Sequence, residues 1–397
     1  MIRIKGTPYQ NTAAFISAAS HIAEYYGFEH FDNLPKESLR RTLPPGARPD
    51  ADINFARRDE RQLPSAARRI LSAGTLPQGA ILAWRTSPLP SGVPGIALEL
   101  HAAGIDTAIA EALLIVTADA ILKHANISER ILSINNLGSA ESSGRYVRDV
   151  GGYLRKHIES ISASLRPRVA VDPLGALVQL IERGHPAVSR APQAMEYLTE
   201  DERRRFWDLL EYLEISGLPY ELNGQILGSR DCWAHTLYEI ATIDAETGAR
   251  ITVALGGRYD PLMSRFARRP YAAAMIAIHA EARGATSVKV RTPGVRAMYF
   301  AHLGLEARRR ILPVLEKLRE AGIPVYHGLW NERIGEQMVA ARTLATPYIL
   351  IMGHKEAIES TVLVREVATN SQEAVSLDDL PSYLKQRRLG ISQATSK

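Results

Sequence analysis

Apolar and polar positions along the chain follow two rhythms, one of about 3.6 residues and one of two, and their alternation sketches the fold. In NTAAFISAASHIAEYYGF, apolar residues recur at helical spacing through Phe15, Ala19, Ile22, Ala23 and Tyr26, with a cap at Asn11 or Thr12 and a stop at Gly27. FEHFDNLP is strand-like and closed by Pro35, residues 40–61 read as an exposed loop rich in Arg, Pro and Asp, and SAARRILSAG is a short helix with a glycine end. AILAWR (80–85) is strand-like, TSPLPSGVPG (86–95) is a mobile loop, and IALELHAAGID (96–106) alternates as a half-buried strand. The run AIAEALLIVTADAIL (108–122) is broken by Glu111 and Asp119, so it predicts a buried core helix and no membrane span.

Helical periodicity dominates over 139–165 and 201–215. HTLYEIATID and ARITVALGG then read as antiparallel strands joined at AETG, and 286–295 reads as a linker. Beyond it, strand and helix alternate: AMYFAHL, ARRRILPVLEKLREAG, IPVYHGL, ERIGEQMVAARTLA, YILIMG and STVLVREV. The pattern predicts an α/β protein of two units, 1–287 with a helical insertion at about 139–215, and a compact α/β module over 288–397.

Composition adds little until charge is placed along the chain. Apolar residues make up 46% and charged residues 23%, an ordinary globular balance. Cys232 has no second cysteine to pair with, which points to a reducing cytosolic setting, and MIRIKG lacks the apolar run of a signal peptide. The net charge is +5, and 16 Lys/Arg against 11 Asp/Glu lie from Val288 onward, so the whole excess falls on the C-terminal module. Such a module suits a polyanionic partner, or is simply a solvated basic surface.

The familiar catalytic signatures are missing. The sequence has no HExxH, no Cys–His cluster, no GxSxG and no GxxxxGK[ST], and His101, His235 and His279 read as ordinary core or surface residues; no metal site is expected. The glycine pair in ALGGRYDPL could cradle a phosphate or merely mark a strand end. In LNGQILGSRDCWAHTLYE, Arg230 and Asp231 sit between strand-like runs, where a charge pair holds either a ligand or another part of the protein.

From end to end the chain resembles the histidyl-tRNA synthetase family, a class II aminoacyl-tRNA synthetase. GGRYDPL matches that family's glycine-rich signature with one change, and LNGQILGSRDCWAHTLYE matches its second histidine-specific stretch in length, keeping Leu222, Asp231, Thr236 and Glu239. IALELHAAGID matches the returning strand of the second class II motif, and RAMYFAHLGLEARRRILPVLEKLREAGIPVY through ILIMGHKEAIESTVLVREV follows the anticodon-binding domain. The resemblance implies a class II antiparallel sheet flanked by helices, followed by an anticodon-binding-type α/β domain. It also implies ATP and Mg if the chain is active, tRNA (tRNA-His) as partner, a cytoplasmic location, and a homodimer formed through the first helix and the FEHFDNLP strand.

Carried over by position, Arg85 matches the arginine that binds the ATP α-phosphate, whose fork suits two oxygens at once. Asp106 stands where a glutamate faces the substrate imidazole, and Glu60 matches the carboxylate that holds the substrate amino group; Gly256, Gly257 and Tyr259 would line the same pocket. In the C-terminal module, Arg308, Arg309 and Arg310 on one helix, with Lys355, are the candidates for tRNA phosphates.

Several positions depart from the family. Gly228 replaces the arginine of the second histidine stretch, Trp233 replaces a tyrosine that contacts the histidine ring, Ala102 stands for a substrate-binding glutamine, and Ala280 for an arginine at the ATP γ-phosphate. Were Gly228 to Arg230 a strand, Arg230 would share a face with position 228 and could enter the same pocket, its Cα displaced by roughly 6.6 Å. Three functions follow: a tRNA-binding paralogue with impaired histidine activation, a divergent histidine–tRNA ligase using Arg85 and Arg230, or a regulatory subunit of the ATP phosphoribosyltransferase type.

Overall fold

The computed structural model describes residues 1–36, 52–74, 79–90, 94–244, 246–286 and 296–387. In chain order the first part comprises α1 (Thr12–Tyr25), β1 (Glu29–His30), α2 (Leu63–Leu71), β2 (Ile81–Pro88), β3 (Gly95–Ala103), α3 (Ile109–His124) and β4 (Ile131–Asn136). It continues through α4 (Ala140–Lys156), α5 (Arg166–Val171), α6 (Pro173–Glu182), α7 (Glu200–Ile215), β5 (Tyr220–Leu222), β6 (Ala234–Ile243), β7 (Arg250–Arg258), α8 (Asp260–Ala267) and β8 (Ala273–Glu281). The second part comprises β9 (Met298–His302), α9 (Leu305–Glu320), β10 (Val325–His327), α10 (Ile334–Thr343), β11 (Tyr348–Met352), α11 (His354–Glu359), β12 (Thr361–Glu366), β13 (Gln372–Ser376) and α12 (Leu380–Gln386).

The first eight strands form one sheet in the order β1-β2-β3-β8-β7-β6-β4-β5, whose centre is antiparallel; β1 pairs with β2, and β5 with β4, in parallel. Period-two alternation sets its two faces. Leu98, Leu100 and Ala102 of β3 join a core with Phe15 and Ile22 of α1 and Leu113 and Ile121 of α3. Ala97 and Ala103 join the opposite core with Ile70 of α2, Tyr146 and Val150 of α4, Leu177 of α6 and Phe266 of α8. We call these the back and front faces. Of the insertion's helices, α4, α5 and α6 lie over the front, whereas α7 packs into the back-face core through Phe206, Leu209 and Leu213.

The second sheet runs β10-β9-β11-β12-β13, parallel among its first three strands and antiparallel after that. Local signals account for much of this. Asn11 caps α1 by accepting from Ala14 N at 2.9 Å, and Thr199 with Glu202 forms a capping box at α7.

Four expectations change. Of the loop expected over 40–61, residues 40–51 lie outside the described residues, and 52–62 is half-buried rather than exposed throughout, ending in a 3-10 turn at Asp59–Gln62 with Glu60 fully buried. FEHFDNLP contributes a strand of two residues, Glu29–His30, followed by a turn at Phe31–Asn33. The strands on either side of TSPLPSGVPG reach Pro88 and Gly95, so only a short connection remains between them, of which 91–93 lie outside the described residues. The helical stretch from 139 breaks at Lys156. The boundary expected at 287/288 and most of the 286–295 linker also lie outside the described residues. No described helix is long and apolar enough to cross a membrane.

Candidate active site

Glu60 organises the front face. Its Oε2 accepts from the amides of Ala56 (2.7 Å) and Arg57 (3.1 Å), and its Oε1 from Ser229 N (2.8 Å) and Trp233 Nε1 (3.0 Å). Both oxygens are therefore taken by the protein's own donors. Burial pushes the carboxyl up to about 7, outweighing the pull of those amides. Asp231 accepts from Asn54 N at 2.8 Å, Ser229 donates to Asn54 O, and Arg57 donates to Glu239 at 3.1 Å. Two of the retained residues, Asp231 and Glu239, together with Ser229, thus clamp the 54–60 segment onto the front face.

This packing explains Gly228. A Cβ there would lie 2.8 Å from Glu60 Oε1 and 2.8 Å from Trp233 Nε1, with Trp233 Cδ1 closer still. No side chain fits unless the indole moves, so the place where the family carries an arginine is closed from inside. Arg230 does not take over. Residues 229–233 form a turn, with Cys232 N and Trp233 N both donating to Ser229 O (3.0 and 2.8 Å), so the two-residue strand argument fails. The Arg230 guanidinium instead meets the first turn of α4, donating to Ser143 Oγ at 3.2 Å and Ala140 O at 3.1 Å.

Arg85 lies on β2 directly opposite Glu99 of β3. It donates to Glu99 (2.6 Å), Ser65 Oγ (2.9 Å) and Gln62 O (3.3 Å), and lies 5.4 Å from the centre of the Phe31 ring. His101, two residues on, contacts Glu99 through Nε2 (3.1 Å) and Tyr259 OH through Nδ1 (3.0 Å). Burial would raise the Glu99 carboxyl, yet His101 and Arg85 hold it at about 2; burial lowers His101. Glu99 is therefore an anion, so the His101 proton sits on Nε2 and Nδ1 accepts from the Tyr259 hydroxyl. This relay of Arg85, Glu99, His101 and Tyr259 was not read from the sequence. Its signal was the period-two placement of Glu99 and His101 in IALELHAA.

The remaining candidates are dispersed. Asp106 lies past the end of β3 with its side chain 82% exposed, paired with Arg205 at 3.0 Å, and is not brought to Glu60. Tyr259 is fully buried rather than lining an open pocket. Gly256 and Gly257 serve close strand packing: a Cβ on Gly256 would strike Met275 O of β8, and one on Gly257 would lie 2.6 Å from Thr236 O of β6. Between them and Tyr259, the buried Arg258 binds Glu111 (2.8 Å), Asp260 (3.1 Å) and Ile105 O (3.0 Å).

Two of the departures inferred from alignment lose their meaning. Ala102 and Ala280 both belong to the back-face core, and β3 pairs with β8 without a bulge, so side chains there point away from Arg85 and Glu60. His279 lies on the front of β8 and borders the remaining cleft, with burial lowering it to about 4. That cleft, lined by Gln62, Leu89, Glu99, Trp233, Met275 and His279 among others, holds about 20 Å³ of free volume. Small-molecule sites usually offer ~300–1,000 Å³. The residues as arranged do not fit a nucleotide and its metal.

The arginine run on α9 is also divided. Successive helical residues point about 100° apart, so three in a row cannot share a face. Arg308, 8% exposed, pairs with Glu332 at 3.1 Å. Arg309, 6% exposed, pairs with Asp208 (2.9 Å) and Glu211 (2.7 Å) of α7 and Glu306 (3.2 Å), pinning α9 to the first part. These two are structural and are not presented to a polyanion. Arg310 is exposed, and Lys355 is exposed with only a 4.0 Å contact to Glu359.

Comparison with known proteins accords with this architecture. Residues 304–387 match the anticodon binding domain family. The chain is 28% identical over 275 residues to histidine–tRNA ligase 1 of Shouchella clausii, covering 68% of this chain and 65% of that protein. It is 28% identical over 389 residues to histidine–tRNA ligase of a Cyanothece species, covering 95% and 86% respectively. The fold is shared with apo histidyl-tRNA synthetase of S. aureus, at 16% identity and a TM-score of 0.50, covering 97% of this chain and 100% of that one. Sheet, helices and C-terminal domain define a protein of the class II aminoacyl-tRNA synthetase fold. Over most of its length the chain is similar to histidine–tRNA ligases.

Proposed function

We propose that this chain is a tRNA-binding paralogue of histidyl-tRNA synthetase in which ATP-dependent activation of histidine is lost or severely impaired. The observation that carries the reading is the saturation of Glu60. In the family that carboxylate would receive the substrate amino group, but here four protein N–H donors occupy it, one of them the Trp233 indole. Arg85 is neutralised by Glu99 in the same way, and the cleft bordered by Glu99 and Trp233 holds about 20 Å³. Activation relies on preorganised donors aimed at the α-phosphate, and removing one such donor costs ~10²–10³ in rate. Here the position of the missing arginine, Gly228, is filled rather than merely empty.

The anticodon-binding match over 304–387 favours tRNA over a phosphoribosyltransferase subunit as partner. Exposed Arg310 and Lys355 are the cations we assign to RNA phosphates. A homodimer and a cytoplasmic location belong to the same reading, while ATP and Mg belong only to an active enzyme. Filter binding and aminoacylation should be run on one preparation with tRNA-His. Salt-sensitive binding without charging is expected. Charging would establish the divergent ligase instead, and failure to bind RNA would remove the partner.

A further inference from the structure

Domains joined by a linker are expected to move against each other unless their interface is large or specifically tied. Here a shared apolar core is joined by a cluster of polar ties at one helix end. The last carbonyls of α1 point at the second part of the chain. Arg296, the first described residue after the 286–295 stretch, donates to Tyr25 O at 2.8 Å and to Glu24 O, and also to Val325 O of β10 at 2.7 Å. Its guanidinium lies between the Tyr25 and Tyr326 rings, 5.8 and 5.1 Å from their centres. His327 Nε2 contacts Tyr26 O at 3.1 Å, Tyr25 OH donates to Ile323 O at 3.1 Å, and Tyr26 OH donates to Glu316 of α9.

A cation at a helix C-terminus meets both the unpaired carbonyls and the negative end of the dipole. Arg296 is largely buried, so its bonds are shielded from salt and water. The back-face core runs without a break from Phe15 and Tyr26 to Met298, Leu312 and Val325. We infer that Arg296 is a latch: it seats the C-terminal module on the end of α1 and makes the two parts one rigid body, with α9–α7 pairing through Arg309 as a second anchor. RNA held by the module would then meet the first part at a fixed angle. This inference does not depend on whether the chain activates histidine.

The test is single-molecule energy transfer in the full-length chain labelled at Ser189→Cys and Ser371→Cys. Both positions are exposed, whereas the native Cys232 is buried. The parent should give one narrow distance distribution, and Arg296→Ala should broaden or split it. Arg296→Lys keeps the charge but not the fork, so it should also broaden the distribution; this milder variant carries the test if the alanine variant does not fold. Distributions for a folded Arg296→Lys and Arg296→Ala that coincide with the parent, or a parent already broad, would overturn the latch.

Discussion

Replacing Gly228 by alanine isolates the feature on which the closed pocket depends. The new methyl would stand 2.8 Å from both Glu60 Oε1 and Trp233 Nε1, closer than packed atoms allow. Either the surroundings absorb the overlap, at ~1–3 kcal/mol, or the indole swings away and its hydrogen bond to Glu60 is lost, at ~1.5–3 kcal/mol for a bond to a charged group. These are two descriptions of one displacement and are not summed, so a loss of about 2 kcal/mol is expected. Trp233→Ala alone should cost ~3–5 kcal/mol through the cavity it leaves. In that background the overlap with the indole is gone and only the Glu60 Oε1 contact remains, so the cost of the alanine at 228 should fall by ~1 kcal/mol or more. Urea unfolding followed by far-UV circular dichroism measures all four corners of the cycle, and unlike fluorescence it does not depend on the deleted tryptophan. Additivity of the two substitutions within ~0.5 kcal/mol would refute the steric account of Gly228.

Further expectations concern charge and exposure. The Glu60 carboxyl rises from its ordinary 4.5 to about 7, so its protonated form favours the folded state. Its contribution is fully present below about pH 4.5 and lost as pH rises towards 7, by ~3 kcal/mol in all. Half-buried His279 and buried His302, lowered to about 4, push the opposite way, so the readout is the difference between Glu60→Gln and parent melts across pH 4.5–7, which should vary with pH; a constant difference would contradict it. Arg309→Ala should cost about 1 kcal/mol of stability by removing the cation that Asp208, Glu211 and Glu306 share, yet leave tRNA affinity per folded molecule unchanged, as filter binding would show. Arg310→Ala and Lys355→Ala should do the reverse, each reducing the slope of log affinity against log salt by about 1 in titrations with tRNA. Cys232, whose thiol burial pushes up strongly, should resist Ellman's reagent until the chain unfolds.

The sequence was most informative where one rhythm runs uninterrupted. Helix α7 and the strand–helix alternation of the C-terminal module could be read directly, because each has an apolar face to bury and a clear stop. The interrupted core helix was legible for the opposite reason: Glu111 and Asp119 broke the apolar run. What could not be read is pairing across the fold. The 52–62 segment is polar by composition, yet Glu60 is buried by donors that come from 169 and 173 residues away, which no local pattern records. Arg308 and Arg309 looked like a basic surface because their carboxylate partners lie on other turns and on α7. Alignment named Ala102 and Ala280 as losses, but it carries no face information, and period-two alternation puts both behind the sheet. Gly228 was the correct residue to question. The reason for it, an indole and a carboxylate already in place, appears only in three dimensions.

The central claim is that the amino-acid pocket is closed from within, and histidine-dependent ATP–pyrophosphate exchange tests it most directly. Exchange no faster than the blank without histidine is expected from the wild-type chain, in a preparation that still binds tRNA. Exchange at about 1 s⁻¹ or faster, the ordinary range of enzyme turnover, would contradict it.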